Sequence, residues 1–209
     1  MVRGAQGAAS AALAAGLLAA CAITEDKLPV DYIPNVGVTR VVGAEAISLT
    51  VTGADKRTQF ADRISTKKNG YGMEMARIVA TNDVVEVVRG GVERELRAQG
   101  FAVGSGGISL TVELQNFYNN FRLGFASGNS VADVALAVKV RNGAGALVYS
   151  QTYDASISND VFLASGENAK AALEKALTTA TRKIVDDRAL QEALLATRPA
   201  PARRAGVRS

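Results

Sequence analysis

Apolar and polar residues alternate along three stretches of the chain. Ile47, Leu49 and Val51 are separated by Ser48, Thr50 and Thr52; Ile108, Leu110, Val112 and Leu114 are separated by Ser109, Thr111 and Glu113. Val134, Leu136, Val138 and Val140 recur with the same spacing. A period of two buries one face of a strand and leaves the other in water. After Leu114 the apolar set moves to odd numbers, at Phe117, Phe121, Leu123 and Phe125, which predicts a bulge near 115–117. Two short extended segments, near 61–68 and 71–79, flank Asn69-Gly70. That dipeptide signals a hairpin, because both central residues of a type I′ turn need positive φ. Ser127-Gly128-Asn129 and Asn142-Gly143 mark further turns, and Leu147, Tyr149, Tyr153 and Ile157 continue a meander.

Two stretches carry a helical period instead. Val84, Val88, Val92 and Leu96 recur every four residues, behind an Asp83–Glu86 pair spaced as a capping box and ahead of Gly100, a suitable left-handed stop. Gly90-Gly91 costs this helix about 1 kcal/mol per glycine relative to alanine, a cost consistent with close approach to the sheet. The second helix is predicted from Ser165, a good N-cap, to about Leu195, with Leu173, Leu177, Ala180 and Ile184 inward and Ala169, Ala172 and Ala176 permitting tight packing. The fold class is α+β, an antiparallel sheet of about five to six strands with two main helices packed on one face.

Ahead of this domain, Arg3 precedes an apolar run of about 13 residues that ends in Leu18-Ala19-Ala20-Cys21, well short of the ~20 needed to span a bilayer. A charged start, an apolar middle and small residues at a cut site describe a secretory signal peptide. The stretch resembles the lipobox of bacterial lipoproteins. That resemblance implies cleavage between Ala20 and Cys21, fatty acylation of the Cys21 thiol and new amino terminus, and a membrane partner reached through that lipid. Ala22 and Ile23 follow in place of the Asp that retains such proteins at the inner membrane, which implies the outer membrane, facing the periplasm. The expected organisation is a signal peptide at 1–20, a lipidated tether at 21–45, one domain at 46–196 and a disordered basic tail at 197–209. Apolar Val30, Tyr32, Ile33 and Val36 allow part of the tether to lie along the body.

Composition narrows the chemistry. The net charge is +4, but Arg198, Arg203, Arg204 and Arg208 crowd the carboxyl terminus without an acid, so the folded part carries no basic face for nucleic acid. The chain has no histidine and a single cysteine, which excludes Ser-His-Asp and Cys-His catalysis and zinc sites of His/Cys type. No cofactor or metal is expected. An enzyme would have to gather carboxylates such as Asp133, Asp154 and Asp160. Gly104-Ser105-Gly106-Gly107 lacks the Lys-Ser/Thr of a phosphate loop and precedes a strand, so it reads as a connection.

The lipobox, the string Gly53-Ala54-Asp55-Lys56-Arg57-Thr58 after the first strand, and a helix ending Arg97-Ala98-Gln99-Gly100-Phe101 together resemble the YajG family of bacterial lipoproteins. The resemblance covers nearly all of the chain except the basic tail. It implies an envelope lipoprotein without an established activity and supplies no catalytic residues.

Two groups stand out as candidate surfaces. Asp55 and Arg57 either cap a turn and pair locally or hold a partner's charged group. Phe117, Tyr118, Phe121 and Phe125 gather four of the chain's eleven aromatics, and either extend the core or form an apolar patch for a partner. The leading expectation is a non-catalytic, lipid-anchored accessory module that contacts an envelope protein. The alternative is a carrier of a small amphiphile held between sheet and helix and lined by the 117–125 aromatics.

Overall fold

The computed structural model describes residues 24–124 and 127–198. Cys21, Ala20, the signal segment, Phe125 and the tail beyond Arg198 lie outside the described residues. Eight strands form one sheet: β1 (Asp26–Leu28), β2 (Ser48–Asp55), β3 (Ser65–Lys68), β4 (Glu74–Ala80), β5 (Ala102–Val103), β6 (Ile108–Leu123), β7 (Gly128–Arg141) and β8 (Leu147–Val161). Helix α1 (Val84–Gln99) follows β4, and α2 (Gly166–Asp186) and α3 (Arg188–Ala196) follow β8.

The α+β class stands, with a mixed sheet in place of a purely antiparallel one. The three longest strands do form the antiparallel meander that alternation predicts, with β6 pairing β7 and β7 pairing β8. The predicted bulge falls between Leu114 and Asn116. The parallel pairings are long-range. Chain leaving β2 returns through α1 to β6, and a strand–helix–strand crossover of this kind brings its strands together parallel. Beyond the bulge, Ser65 of β3 takes over as the parallel neighbour, opposite Asn119.

A buried polar knot joins the strands at that handover. Asn119 is fully buried; the Ser65 hydroxyl donates to its carbonyl at 2.7 Å and the Ser130 hydroxyl to its side-chain oxygen at 2.6 Å. The helices cover the same face. α1 and α2 touch each other, and both touch β6. Leu173, Leu177, Ile184 and the four alanines at 169, 172, 176 and 180 are fully buried.

Local chemistry explains most boundaries. Asp83 caps α1, accepting from the Val85 and Glu86 amides at 2.8 and 3.4 Å, and Gly100 ends it at φ 102°. The Asn69-Gly70 turn is longer than the type I′ expectation, and the turn that starts at Asn142-Gly143 is built the same way. In Asn69–Met73 and again in Asn142–Ala146, the asparagine side chain accepts from the amides two and four residues on, and the second glycine takes the positive φ. The Ser127-Gly128-Asn129 turn is likewise displaced, since Gly128 already pairs with Leu123.

The predicted long final helix breaks at Asp187, which caps α3 by accepting from Ala189 and Leu190. Its other oxygen receives the Tyr149 and Tyr153 hydroxyls at 2.6 and 2.8 Å. Burial alone would raise the Asp187 carboxyl, but these donors outweigh it and hold the group below the usual carboxylate range. Tyr149 is pushed up to about 12 by burial and then by its bond to Asp187, and Tyr153 is raised as well, by burial and then by its bonds to Tyr149 and Asp187. Below the ordinary phenol range near 10, both states keep these protons and the contribution is complete. Between there and about 12 the unfolded chain sheds protons that the folded one retains, so stability falls as pH rises. Thermal unfolding across that window should decline less steeply in the Tyr149→Phe, Tyr153→Phe double variant than in the parent.

The glycine pair in α1 approaches the lead-in segment and not the sheet. A Cβ on Gly91 would lie 2.8 Å from the Tyr32 ring, and Gly90 has open space beside it. The tight helix–sheet contact is at Gly53, where a Cβ would meet Val85 at 2.7 Å. Residues 30–36 form a strap across the two helices. The Val30 backbone exchanges two bonds with Asn82, the Asp31 amide donates to Glu174, and the Tyr32 hydroxyl and Asn35 amide donate to the buried Glu95 carboxylate. Arg182 of α2 reaches the Asn35 side chain and the Val36 carbonyl.

Candidate functional site

The loop that leaves β2 is organised around Asp55 and Arg57, two of the residues singled out in the sequence. Arg57 folds back on Asp55, with its backbone amide and Nε 3.0 Å from one carboxylate oxygen and Nη2 2.7 Å from the other. The same Nη2 donates to the Ala61 carbonyl at 3.2 Å, so one guanidinium closes the loop on both sides. Only 7% of the Arg57 side chain is exposed, which makes it a brace. Hydrogen bonds from Arg57 hold the Asp55 carboxyl below the usual range against a smaller effect of burial.

Within this loop Phe60 takes the left-handed backbone region, at φ 54°. Non-glycine residues adopt it at a cost of order 1–3 kcal/mol, and only where their surroundings compel it. Here the Phe60 ring stacks on Tyr118, the third of those residues, at 4.1 Å between centroids. The Arg63 guanidinium lies 4.8 Å from the Phe60 centroid, an attractive cation–π geometry, and also pairs with Asp62. Thr58 and Gln59 remain exposed.

Between this loop and the start of α1 lies a cleft of about 150 Å³ whose lining includes Arg57, Asp62, Arg63, Asn82 and Asp83. It is smaller than the ~300–1,000 Å³ of a small-molecule pocket. Its arginines are paired with Asp55 and Asp62, and Asp83 is committed to capping α1.

The aromatic cluster divides between the two faces of β6. Phe117 is 0% and Phe121 1% exposed, both on the inward face with Leu110, Val112 and Leu114. This corrects the reading of Phe117 and Phe121 as a partner or ligand surface. The bulge returns them to the buried side, into the core cluster that includes Leu173 and Leu177 of α2. Tyr118 points the other way, onto Phe60, and its hydroxyl lies 3.1 Å from that of Thr66. Phe125 lies outside the described residues. Asp133 and Asp154 sit on neighbouring strands and Asp160 bonds the Asn129 side chain near one end of the sheet.

Phe60 and Arg63 were not legible as members of this site. Their signal was weak: a lone aromatic between Gln59 and Ala61, at the edge of a segment read as extended strand. The glycine connection at 104–107 folds onto β2, where Thr50 Oγ1 donates toward the Gly104 carbonyl at 2.9 Å and accepts from the Gly106 amide at 3.1 Å.

Residues 34–195 match a family described as uncharacterized lipoprotein. A search of the curated proteins finds no match. Among solved structures, a protein from Xanthomonas campestris is similar at a TM-score of 0.54 and 18% identity, over 78% of this chain and 92% of that one, a likeness of fold alone. A minor lipoprotein from Acinetobacter baumannii is 8% identical, with a TM-score of 0.43 over 70% of this chain and 93% of its own.

Proposed function

Because this chain belongs to the uncharacterized lipoprotein family, whose members are held to a membrane by lipid, we propose that it is a non-catalytic interaction module of the bacterial envelope. The acyl chains sit on Cys21, after cleavage behind Ala20, and hold the domain at the outer membrane facing the periplasm. The residue string from Gly53 to Thr58 supports the finer YajG assignment. The Asp55–Arg63 loop is the contact surface for an envelope protein.

The observation that carries this reading is Phe60. Its strained backbone is exchanged for a fixed loop shape, braced by Arg57 beneath and stacked on Tyr118. Strain maintained at a surface loop favours a role in recognition, since a solvated turn of ordinary residues would connect β2 to β3 without it. Among the described residues no helix is long and apolar enough to cross a membrane.

The test is a photoreactive amino acid at Thr58 of the lipidated protein in intact cells. The expected result is a discrete protein adduct that is absent when the probe replaces exposed Ser156 on β8. No adduct at Thr58, or the same adducts from both positions, overturns the assignment of this loop.

A further inference from the structure

Strand register places the amino terminus and two exposed apolar loops at one end of the molecule. A single row of partners crosses the sheet from Asp26 through Ile78, Ser65, Asn119 and Ala132 to Ile157. From that row, β3 runs three residues to its end at Lys68, and β8 runs four to its end at Val161. Because β3, β6 and β8 share one direction, the Asn69–Met73 loop and the Phe162-Leu163 loop emerge at the same end. β1 runs the opposite way, so the described chain begins there, two residues before Asp26 at Thr24. The Lys67 ammonium confirms the proximity, donating to the Thr24 carbonyl at 2.9 Å.

This end carries side chains that a water-facing surface does not favour. Tyr71 is 92%, Phe162 91%, Leu163 65% and Met73 58% exposed. Aromatic and aliphatic groups on loop tips, rather than on a helix stripe, suit shallow entry into the boundary between headgroups and acyl chains. Charge does not supply the attraction. At this end Lys67 pairs with Asp26 and Lys27 with Glu25, Lys68 stands opposite Glu74, and Arg122 lies across β7 from Asp160.

We propose that Tyr71, Met73, Phe162 and Leu163 form a bilayer seat, set by the fold at the point where the lipid-bearing amino terminus enters it. The inference rests on the lipid anchor at Cys21. Thr24 follows Cys21 by three residues of chain, which span at most about 10 Å. The acylated residue therefore holds the membrane surface within reach of these loops. The opposite end, where Leu147 is 50% exposed, lies roughly 50 Å away along the 16-residue β6.

The chain has no tryptophan, so a single introduced one reports position without background. The lipidated mature protein, purified from membranes, is reconstituted into phosphatidylethanolamine–phosphatidylglycerol vesicles with and without brominated acyl chains. Tyr71→Trp and Phe162→Trp are expected to be quenched strongly by the brominated lipid, at low and high salt alike, and Leu147→Trp to be indifferent to it. Flotation with the vesicles but no quenching at 71 or 162 overturns the seat and leaves the anchor standing. Failure to float overturns the anchor and the seat with it. If the indole of the Tyr71→Trp variant is shielded without lipid in a protein of dimeric mass, these loops belong to a contact with a second copy, which also overturns the proposal.

Discussion

Phe117→Ala should destabilise the protein by about 3–5 kcal/mol, measured as a shift in the chemical denaturation midpoint with little change in its slope. The ring is fully buried on the inward face of β6, opposite Val134 of β7. Its removal forfeits transfer energy and leaves a cavity among side chains already held by two helices. Had Phe117 stood on the surface as part of a partner patch, the same change would lie within about 0.5 kcal/mol of neutral. Tyr118→Ala provides the internal comparison, because that side chain faces outward. It should cost less while loosening Phe60 and the loop that Phe60 anchors.

This pair of neighbours shows how far the sequence could be read. The odd-numbered apolar positions after Leu114 announced the bulge, and with it the return of Phe117 and Phe121 to the core face. Alternation cannot say whether a strand's apolar face is covered, so core and patch both stayed open until the helices were in place. Strands with regular alternation, and helix ends with side-chain caps such as Asp83 and Ser165, were visible because their cause is local.

Features made by distant partners were hidden. β1 is three residues that form a strand only because β4 lies beside them. The parallel pairing of β2 with β6 depends on a crossover that no local pattern encodes. The break at Asp187 was masked by apolar residues on both sides, although Leu190 and Leu194 fall out of phase with Leu177 and Ile184. At the site, Asp55 and Arg57 are neighbours and their pairing was legible. The stacking of Phe60 on Tyr118 joins residues far apart in the chain and could be found only after folding.

Gly106→Ala should be the second severe change, costing about 3 kcal/mol, at the upper end for an overpacked position. A Cβ there would lie 2.3 Å from the Ser48 carbonyl oxygen and 2.5 Å from the Leu49 amide nitrogen. Those atoms are backbone of β2, so no side chain can swing away to relieve the clash. The strand or the connection must move, and either motion pulls on the Thr50 hydroxyl bonds that hold the two together. Gly107→Ala is the control, because its Cβ would meet nothing within 4 Å. A midpoint shift for Gly106→Ala no larger than that for Gly107→Ala would show that the connection yields freely and does not lock β2.

If the acyl chains sit on Cys21 as proposed, the strap at residues 30–36 sets how the body responds when they are dragged along the membrane. Load entering at Thr24 runs along the axis of β1, so the bonds between β1 and β4 are sheared together rather than unzipped one by one. The next points in line are Asn82, Glu174 and Glu95, on or beside the two long helices. A tug on that proposed anchor would reach the helical layer through these bonds.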